Sequence, residues 1–323
     1  MMLPDRDAAL VALGRLLQAR GYRFTTVTPA THARVNARSE NAVASTLEDI
    51  FGWSRPFSPD DLPEEIVRTL RAGDAIVGHG NLCRSAFRFS TLDTHIFMHS
   101  AFPTGDADAV FFGPDTYRFA NALRAAFRDA ESDGAVTVVD IGCGSGAGGL
   151  YLRSLLPAAT VRLVLGDINP AALRCAQINT VLNRCEADVV KSDVMGDIAG
   201  PADIIIANPP YMIDAGERTY RHGGASLGID LALRIVGEAL PRLTPGGRLL
   251  VYTGAPVVDG VDKFRQAVGP RLGDRAFSYE EIDPDVFGEE LDEPAYARVD
   301  RIAAVVLIVA APGGRHAERH TFH

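Results

Sequence analysis

The stretch Thr137–Gly149, with the sequence TVVDIGCGSGAGG, decides which fold the chain adopts. Its branched apolar residues predict a buried strand, and the glycines that follow are expected to form a tight turn into a helix. Such a turn brings the backbone close to a ligand, while the first turn of the helix presents free N–H groups. The stretch therefore predicts a nucleotide-binding loop between a strand and a helix.

Alternating strands and helices follow this loop. Apolar runs at 161–168, 203–207 and 247–254 are separated by helical segments, a pattern typical of parallel strands that are buried on both faces. Residues 278–283 and 301–311 also predict strands, but no full crossover helix separates them. We therefore expect an α/β fold with a Rossmann-like, doubly wound sheet whose last two strands are antiparallel.

The residues before the sheet have a different pattern. Apolar residues at helical spacing predict three helices at 5–20, 41–53 and 62–71, and residues 75–100 alternate like short strands. Helices followed by a β ribbon predict a small helical, winged-helix-like domain. We expect a substrate-recognition domain at 1–110, the sheet domain at 111–312 and a loose tail at 313–323.

Composition and charge narrow the class of protein. The chain has 323 residues, an apolar share of 47% and a net charge of −9, which fits a folded enzyme and disfavours a general nucleic-acid coat protein. The first residues do not resemble a secretory signal, and the apolar run Ile302–Ala311 is about half as long as a bilayer-spanning helix. The four cysteines form no CxxC pair. We expect a cytoplasmic protein without a membrane segment or a metal site.

One segment is locally basic. Residues 20–38 contain four arginines and one histidine but no acidic residue. Such a segment can contact phosphate or an acidic partner, although a solvated surface is the simpler interpretation.

The glycine loop alone is compatible with two cofactors. Gly144, Gly146 and Gly149 satisfy GxGxxG, and Asp167 ends the next strand, where a carboxylate can bind ribose hydroxyls. This pattern also fits a nicotinamide enzyme. Asp140 separates the two cases, because a carboxylate repels a pyrophosphate but can orient the cationic, amino-acid end of S-adenosylmethionine. The loop therefore favours S-adenosylmethionine.

The tetrapeptide Asn208-Pro209-Pro210-Tyr211 follows the strand at 203–207. Ligands in such sheets bind outside the carboxyl ends of the strands, so we expect it beside the glycine loop. The side-chain carbonyl of Asn208 and the main-chain carbonyl of Pro209 can hold the N–H groups of a weakly nucleophilic nitrogen, and Tyr211 offers a flat surface. The alternative is that two prolines simply end a strand. We expect these four residues to be catalytic in a direct methyl transfer.

Together these motifs resemble the class I S-adenosylmethionine-dependent methyltransferases over residues 111–311. The order DIGCGSG, DIN, SDV and NPPY is most similar to the branch that holds the release-factor glutamine methyltransferases and the N6-adenine or N2-guanine methyltransferases. The resemblance implies a seven-stranded sheet. The segment FFGPDTYRF at 111–119 is partially similar to a segment of the glutamine methyltransferases that helps to close over the cofactor. The expected cofactor-binding residues are Asp140, Gly142, Cys143, Gly144, Gly146, Asp167, Ile168, Asn169, Asp193, Asn208 and Thr116. Asp193 is expected to contact the adenine edge.

Three functions fit this sequence. The leading hypothesis is N-methylation of an amide or exocyclic amine nitrogen in a macromolecule, either a glutamine of a release-factor-like protein or a base in structured RNA. A small-molecule N-methyltransferase and a non-catalytic cofactor-binding protein are the alternatives. We interpret His222 as structural, and His316, His320 and His323 as part of the loose tail rather than metal ligands.

Overall fold

The structure is a computed structural model that describes residues 3–128, 134–156, 160–213, 221, 223–224 and 226–313. The elements described before the sheet are α1 (Asp5–Ala19), α2 (Pro29–Asn36), α3 (Leu47–Phe51), α4 (Glu64–Ala72), β1 (Ile76–His79), β2 (Leu82–Ser85), β3 (Phe87–Leu92) and β4 (His95–Ser100). Strands β1 and β2 form one antiparallel pair and β3 and β4 another.

The rest of the chain alternates helices and strands. Its described elements are α5 (Pro114–Phe127), β5 (Ala135–Ile141), α6 (Ala147–Ser154), β6 (Thr160–Asp167), α7 (Pro170–Leu182), β7 (Asp188–Lys191), β8 (Ala202–Ala207), α8 (Asp230–Ala239), β9 (Leu243–Val258), β10 (Val261–Asp262), α9 (Lys263–Leu272), β11 (Phe277–Asp283) and β12 (Arg301–Ala310).

The first helices follow local sequence signals. Helix α1 ends just before Gly21, whose φ of 72° lies in the left-handed region that favours glycine at helix ends. Helix α3 is shorter than the predicted 41–53, because the side chain of Thr46 accepts a hydrogen bond from the Asp49 amide and starts the helix at Leu47. The predicted N-terminal helical region is confirmed, but α3 is shorter than predicted and the sequence did not predict α2.

The central sheet has the order β11-β12-β9-β8-β5-β6-β7, and β10 pairs at the side of β9. Strands β7, β6, β5, β8 and β9 are parallel, whereas β12 runs antiparallel to both β9 and β11. The predicted doubly wound sheet with an antiparallel final pair is confirmed. Strand β5 is flanked by β6 on one side and β8 on the other, so the chain reverses its direction of winding there, which is where ligands bind in open α/β sheets.

Both faces of the sheet are covered. Alternate residues of β5 enter different clusters: Val138 packs with helices α5 and α6, and Val139 packs with α8 and α9. The period of two in strands sends neighbouring side chains to opposite faces. The continuous apolar runs of the sequence therefore reflect strands that are buried on both sides.

The N-terminal region is fastened to helix α7. Residues of α1 and β4 share a buried cluster with Ile178 and Leu182. The side chain of Asn179 accepts a hydrogen bond from the Met98 amide at 2.7 Å and donates to the carbonyls of Met98 at 2.9 Å and Ser145 at 2.8 Å. A fully buried amide that satisfies main-chain groups of β4 and of the glycine loop fixes the N-terminal region against the sheet.

Candidate active site

A cavity of about 550 Å³ opens at the carboxyl ends of β5, β6 and β8. Three groups of residues line it: the glycine loop, the ends of the neighbouring strands, and the tetrapeptide after β8. Residues of the N-terminal region complete the lining, namely Pro29, Phe102, Pro103, Thr104, Gly105, Ala109 and Val110. The cavity is therefore built by both the N-terminal region and the sheet.

The glycine loop is an open cradle. Gly142 and Gly144 have φ angles of 66° and 55°, and a Cβ atom added at either would meet no atom within 4 Å. The amide of Gly144 donates to Asp167 Oδ2 at 2.9 Å, which ties the loop to the end of β6. Positive φ angles with free space in front of the backbone are what close approach of a ligand requires.

Two buried carboxylates face the same cavity. Asp140 accepts a hydrogen bond from the Gly149 amide at 2.7 Å, and Asp167 Oδ1 accepts one from the Asn169 amide at 2.9 Å. Burial raises the pKa of Asp140 to about 7 against the opposing bond from Gly149, and the charge of Asp167 adds to the rise. Burial also raises the pKa of Asp167, opposed by its hydrogen bonds from Asn169 and Gly144.

Neither carboxylate forms an ion pair with any of the residues that the structure describes. Two buried negative groups without a counter-charge fit a cationic ligand, because a cation lowers the free energy of both ionised forms. An anionic pyrophosphate would meet repulsion at the same place. The donor set therefore fits the cationic amino-acid end expected for S-adenosylmethionine.

The other residues expected to bind the cofactor surround this pair. Cys143 is buried and lines the cavity, and the side chain of Ile168 lies half exposed in it, with 50% of its surface accessible. Asn169 caps α7 through the Ala171 amide and donates to the Asp108 carbonyl at 2.8 Å. Gly146, the residue just before α6, has a φ of 78° and is not among the cavity-lining residues described. We infer that its role is to make the turn.

Asp193 lines the cavity, and its carboxylate already pairs with an arginine. Its two carboxylate oxygens accept hydrogen bonds from Arg234 on α8, both at 2.9 Å, and Arg234 also pairs with Glu238. The side chain of Asp193 is 55% exposed. Asp193 is thus oriented from outside by α8, and its expected contact with an adenine edge stays a prediction.

The tetrapeptide presents polar groups to the cavity. Asn208, Pro209, Pro210 and Tyr211 all line it. Among the described residues, no group forms a hydrogen bond with the side-chain amide of Asn208 or with the Pro209 carbonyl. These acceptors are available to a ligand, since polar groups in a partly buried site without internal partners favour binding an external one.

Tyr211 does not offer the open flat surface that was expected from the sequence. Only 7% of it is accessible, and its hydroxyl donates to Asp115 Oδ2 at 2.7 Å. Tyr252 of β9 donates to the other oxygen of Asp115 at 2.6 Å. Phe287 contacts the Tyr211 ring edge-on, with centroids 6.0 Å apart, and lines the cavity.

Sequence reasoning missed Asp115, Tyr252 and Phe287. Asp115 lies in the segment 111–119, whose Pro-acid-Thr pattern was the available signal, while Tyr252 and Phe287 follow no pattern that points to the site. Of the neighbouring residues, Thr116 lines the cavity and accepts from the Gly113 amide at 3.3 Å.

Two further sets of expectations concern metals and membranes. His222, His316, His320 and His323 lie outside the described residues. In the described ranges, no group of three or more His, Cys, Asp or Glu side chains is arranged to hold a metal ion. No helix in those ranges has the length and apolar character needed to cross a bilayer.

Comparisons with known proteins find similarity to methyltransferases. Residues 120–257 match the model described as Methyltransferase small domain. The ribosomal RNA small subunit methyltransferase C of Erwinia tasmaniensis is 36% identical over 36% of this chain and 31% of its own length. The release factor glutamine methyltransferase of Deinococcus radiodurans is 32% identical over 46% of this chain and 55% of its own length. The T. thermophilus 16S rRNA N2 G1207 methyltransferase, solved with AdoMet and guanosine, is similar with a TM-score of 0.47 and 19% identity, covering 80% of this chain and 64% of that one.

The chain spans about a third to about a half of the length of these two curated relatives. The matched segment contains the glycine loop, Asp167, Asp193 and the tetrapeptide at 208–211. Residues 120–257 match the methyltransferase small domain family, and the described sheet has the Rossmann-like α/β architecture that the sequence predicted. The family resemblance expected from the sequence is confirmed.

Proposed function

We propose that this protein is an S-adenosylmethionine-dependent N-methyltransferase that acts on a planar amide or exocyclic amine nitrogen of a macromolecule. One observation carries the proposal: a single cavity holds Asp140 and Asp167, which have no cation partner, and Asn208, whose amide has no hydrogen-bond partner, among the described residues. The first pair suits a cation, and the Asn208 carbonyl suits the N–H group of an acceptor.

The residues of the glycine loop would hold the cofactor. S-adenosylmethionine, when bound, would supply a methyl group that is electrophilic because it is attached to a positively charged sulfur. The methyl–sulfur bond would break as the N–C bond forms, and S-adenosylhomocysteine would be the leaving group. Asp140 would orient the cationic amino-acid end, Asp167 would accept hydrogen bonds from the ribose, and Ile168 would cover the adenine ring. The open backbone at Gly142 and Gly144 leaves the space that this arrangement needs.

The tetrapeptide would prepare the acceptor nitrogen. Asn208 and Pro209 each offer a carbonyl oxygen that accepts an N–H hydrogen bond, so charge that develops on nitrogen is stabilised as the new N–C bond forms. One N–H proton then passes to water. Pro210 restricts the backbone of Pro209 and so limits how far its carbonyl can move. No covalent bond between protein and substrate is required.

A macromolecular acceptor is supported by the basic N-terminal surface. Helix α2 begins at Pro29, which lines the cavity, and carries the exposed Arg34, with the exposed Arg38 just beyond its end. Among the described residues neither arginine has an ion-pair partner. These charges favour the phosphates of structured RNA, and the likeness to a release factor methyltransferase supports a protein glutamine as the second candidate. Both acceptors belong to translation, which would place the reaction in the cytoplasm.

Transfer of a labelled methyl group tests this function. The purified protein is incubated with tritiated S-adenosylmethionine and with cell extract that has been fractionated into ribosomal particles, soluble protein and metabolites. We expect label in a macromolecular fraction that nuclease releases and protease does not. Label that protease releases would instead indicate that the methyl acceptor is a protein glutamine.

Label found only in the metabolite fraction would support the small-molecule alternative and contradict a macromolecular acceptor. If S-adenosylhomocysteine binds but no fraction becomes labelled, the chain is a cofactor-binding protein and the transferase proposal is wrong.

A further inference from the structure

A single buried carboxylate connects the acceptor tetrapeptide to two distant regions of the fold. Asp115, the second residue of α5, is 6% exposed. Its two oxygens accept the hydroxyl of Tyr211 at 2.7 Å and that of Tyr252 at 2.6 Å. Arg118, one turn along the helix, pairs with it at 3.2 Å and also with Asp283 at the end of β11, at 2.9 Å.

The Tyr211 ring has little freedom to move away from this carboxylate. A Cβ atom at Gly254 of β9 would lie 2.1 Å from Tyr211 Cδ2, and one at Gly228 would lie 2.2 Å from the Tyr211 carbonyl oxygen. The ring also contacts Phe287 in a T-shaped arrangement. Glycine in β9 therefore makes the space that the Tyr211 ring fills, and Asp115 fixes the far end of the side chain.

The hydroxyls act as neutral donors in this arrangement. Burial raises the pKa of the Tyr211 hydroxyl well above its usual value, and the negative charge of Asp115 adds to this. Burial and then Asp115 raise the pKa of the Tyr252 hydroxyl in the same way. A hydrogen bond from a neutral donor to a buried charged acceptor is among the stronger side-chain interactions in proteins.

We propose that Asp115 is a positioning residue for the acceptor: by holding the Tyr211 and Tyr252 hydroxyls, it sets the conformation of the loop that presents Asn208 and Pro209 to the cavity. Tyr211 is three residues beyond Asn208, and the two prolines between them transmit the constraint because their φ angles are fixed. Asp115 acts through Tyr211 and is not assigned a bond to the reacting nitrogen.

The effect of Asp115 on methyl transfer rests on the proposed function, but its hydrogen bonds to the two tyrosines can be tested without any transfer reaction. Protein is prepared with tyrosine labelled with ¹³C at the ring carbon that bears the hydroxyl, and the Tyr211 and Tyr252 signals are assigned from Tyr211→Phe and Tyr252→Phe. We expect Asp115→Asn to shift both signals, because the charged acceptor of both hydroxyls is removed. Signals that stay unchanged would overturn the proposal.

The kinetic arm compares Asp115→Asn, Tyr211→Phe and the double variant on the extract fraction that the wild type labels. Each single change is expected to lower kcat/KM for that fraction about 10- to 100-fold, the loss that follows removal of a hydrogen bond to a charged group. The double variant should lose less than about threefold more than either single variant, because both changes break the same contact. Affinity for S-adenosylhomocysteine should stay within about threefold of the wild type, since neither residue is assigned a bond to the cofactor.

The control is Asp188→Asn, which replaces the same residue type on the surface, where Asp188 pairs with Arg162 at 3.1 Å with both side chains 56% exposed. It should leave kcat/KM unchanged. Multiplicative losses in the double variant, or equal losses of cofactor affinity in Asp115→Asn, would show a general structural role and contradict positioning. If the wild type labels no fraction, the transferase proposal fails, while the tyrosine signals still decide whether Asp115 holds the loop.

Discussion

The two sides of the cavity are built in different ways. The cofactor side consists of the loop 140–149 and the strand ends at 167–169 and 192–194, all within one stretch of alternating strands and helices. The acceptor side joins Asp115, the tetrapeptide at 208–211 and Phe287, which are far apart in sequence. The cofactor side is therefore a local construction, whereas the acceptor side exists only once the whole sheet has formed.

The polar groups of the two sides also differ in what they contact. On the cofactor side, the two buried carboxylates accept main-chain N–H groups, Asp140 from Gly149 and Asp167 from Gly144 and Asn169, whereas the exposed Asp193 bonds to a side chain. On the acceptor side, side chains bond to side chains through Asp115. A main-chain network tolerates changes in neighbouring side chains, but a side-chain network depends on each member. Substitutions should accordingly affect cofactor affinity on one side and turnover on the other.

The largest effect is expected for Asn208→Ala. Loss of the side-chain carbonyl removes the group that stabilises charge on the acceptor nitrogen, and kcat should fall about 10²- to 10³-fold, as for other preorganised polar groups. Single-turnover transfer of tritiated methyl to the labelled extract fraction measures this change. Asn121→Ala, on the exposed face of α5, is the matched control and should transfer at the wild-type rate. Unchanged transfer in Asn208→Ala would contradict its role.

Asp167→Ala should act on the other side of the cavity. It removes the acceptor of the Gly144 and Asn169 amides and the group expected to bind the ribose. We expect the Kd for S-adenosylhomocysteine to rise about 10- to 100-fold, while turnover at saturating cofactor falls much less. Calorimetric titration and saturation kinetics check these two expectations. A fall in turnover with unchanged affinity would reverse the assignment of the two sides.

Gly254→Ala tests the acceptor side without altering a polar group. The added Cβ overlaps the Tyr211 ring, with 2.1 Å to Cδ2, so the ring must leave its position. We expect a loss of about tenfold in kcat/KM, similar to breaking one hydrogen bond to Asp115, with cofactor affinity preserved. Gly237→Ala in α8, where an added Cβ meets no atom within 4 Å, is the control. Equal activity of the two variants would refute the need for a fixed Tyr211.

Cofactor binding should depend on pH through Asp140. Burial raises the pKa of Asp140 to about 7, and a cationic ligand favours the carboxylate, so binding below that pH must release the proton. The Kd for S-adenosylmethionine should be constant above about pH 8 and about tenfold higher at about pH 6, with Asp167 acting in the same direction. Asp140→Asn should bind more weakly and with a flatter profile. A Kd that is equal at either end of this pH range in the wild type would contradict the role of Asp140.

The smallest effect is expected for Arg234→Gln. Arg234 orients Asp193 through two hydrogen bonds at 2.9 Å, but the pair is largely exposed, and such pairs contribute about 0 to 1 kcal/mol. The Kd for S-adenosylhomocysteine should rise less than about fivefold, the equivalent of that free energy. A rise of more than about 20-fold would mean that Asp193 contributes more to adenine binding than its exposure suggests.

The same contrast explains what could be predicted from the sequence. The strand, the glycine turn and the carboxylates at strand ends are local patterns, so the residues of the cofactor side could be named before their contacts were known. Asn208 to Tyr211 could be predicted as site residues because they follow a parallel strand, whose carboxyl end lies beside the glycine loop. The burial of Tyr211 could not be predicted, because it depends on Gly254 and Asp115, which reach it only through sheet pairing and through the packing of α5. The attachment of the N-terminal region through Asn179 escaped prediction for the same reason.

The central claim is that this cavity holds a cationic cofactor beside the acceptor tetrapeptide. The most direct test is calorimetric titration of the protein with S-adenosylhomocysteine and, in parallel, with NADH. We predict one S-adenosylhomocysteine bound per chain, with a Kd about 10- to 100-fold higher in Asp167→Ala, and no binding of NADH. Tight binding of NADH together with no binding of S-adenosylhomocysteine would contradict the account.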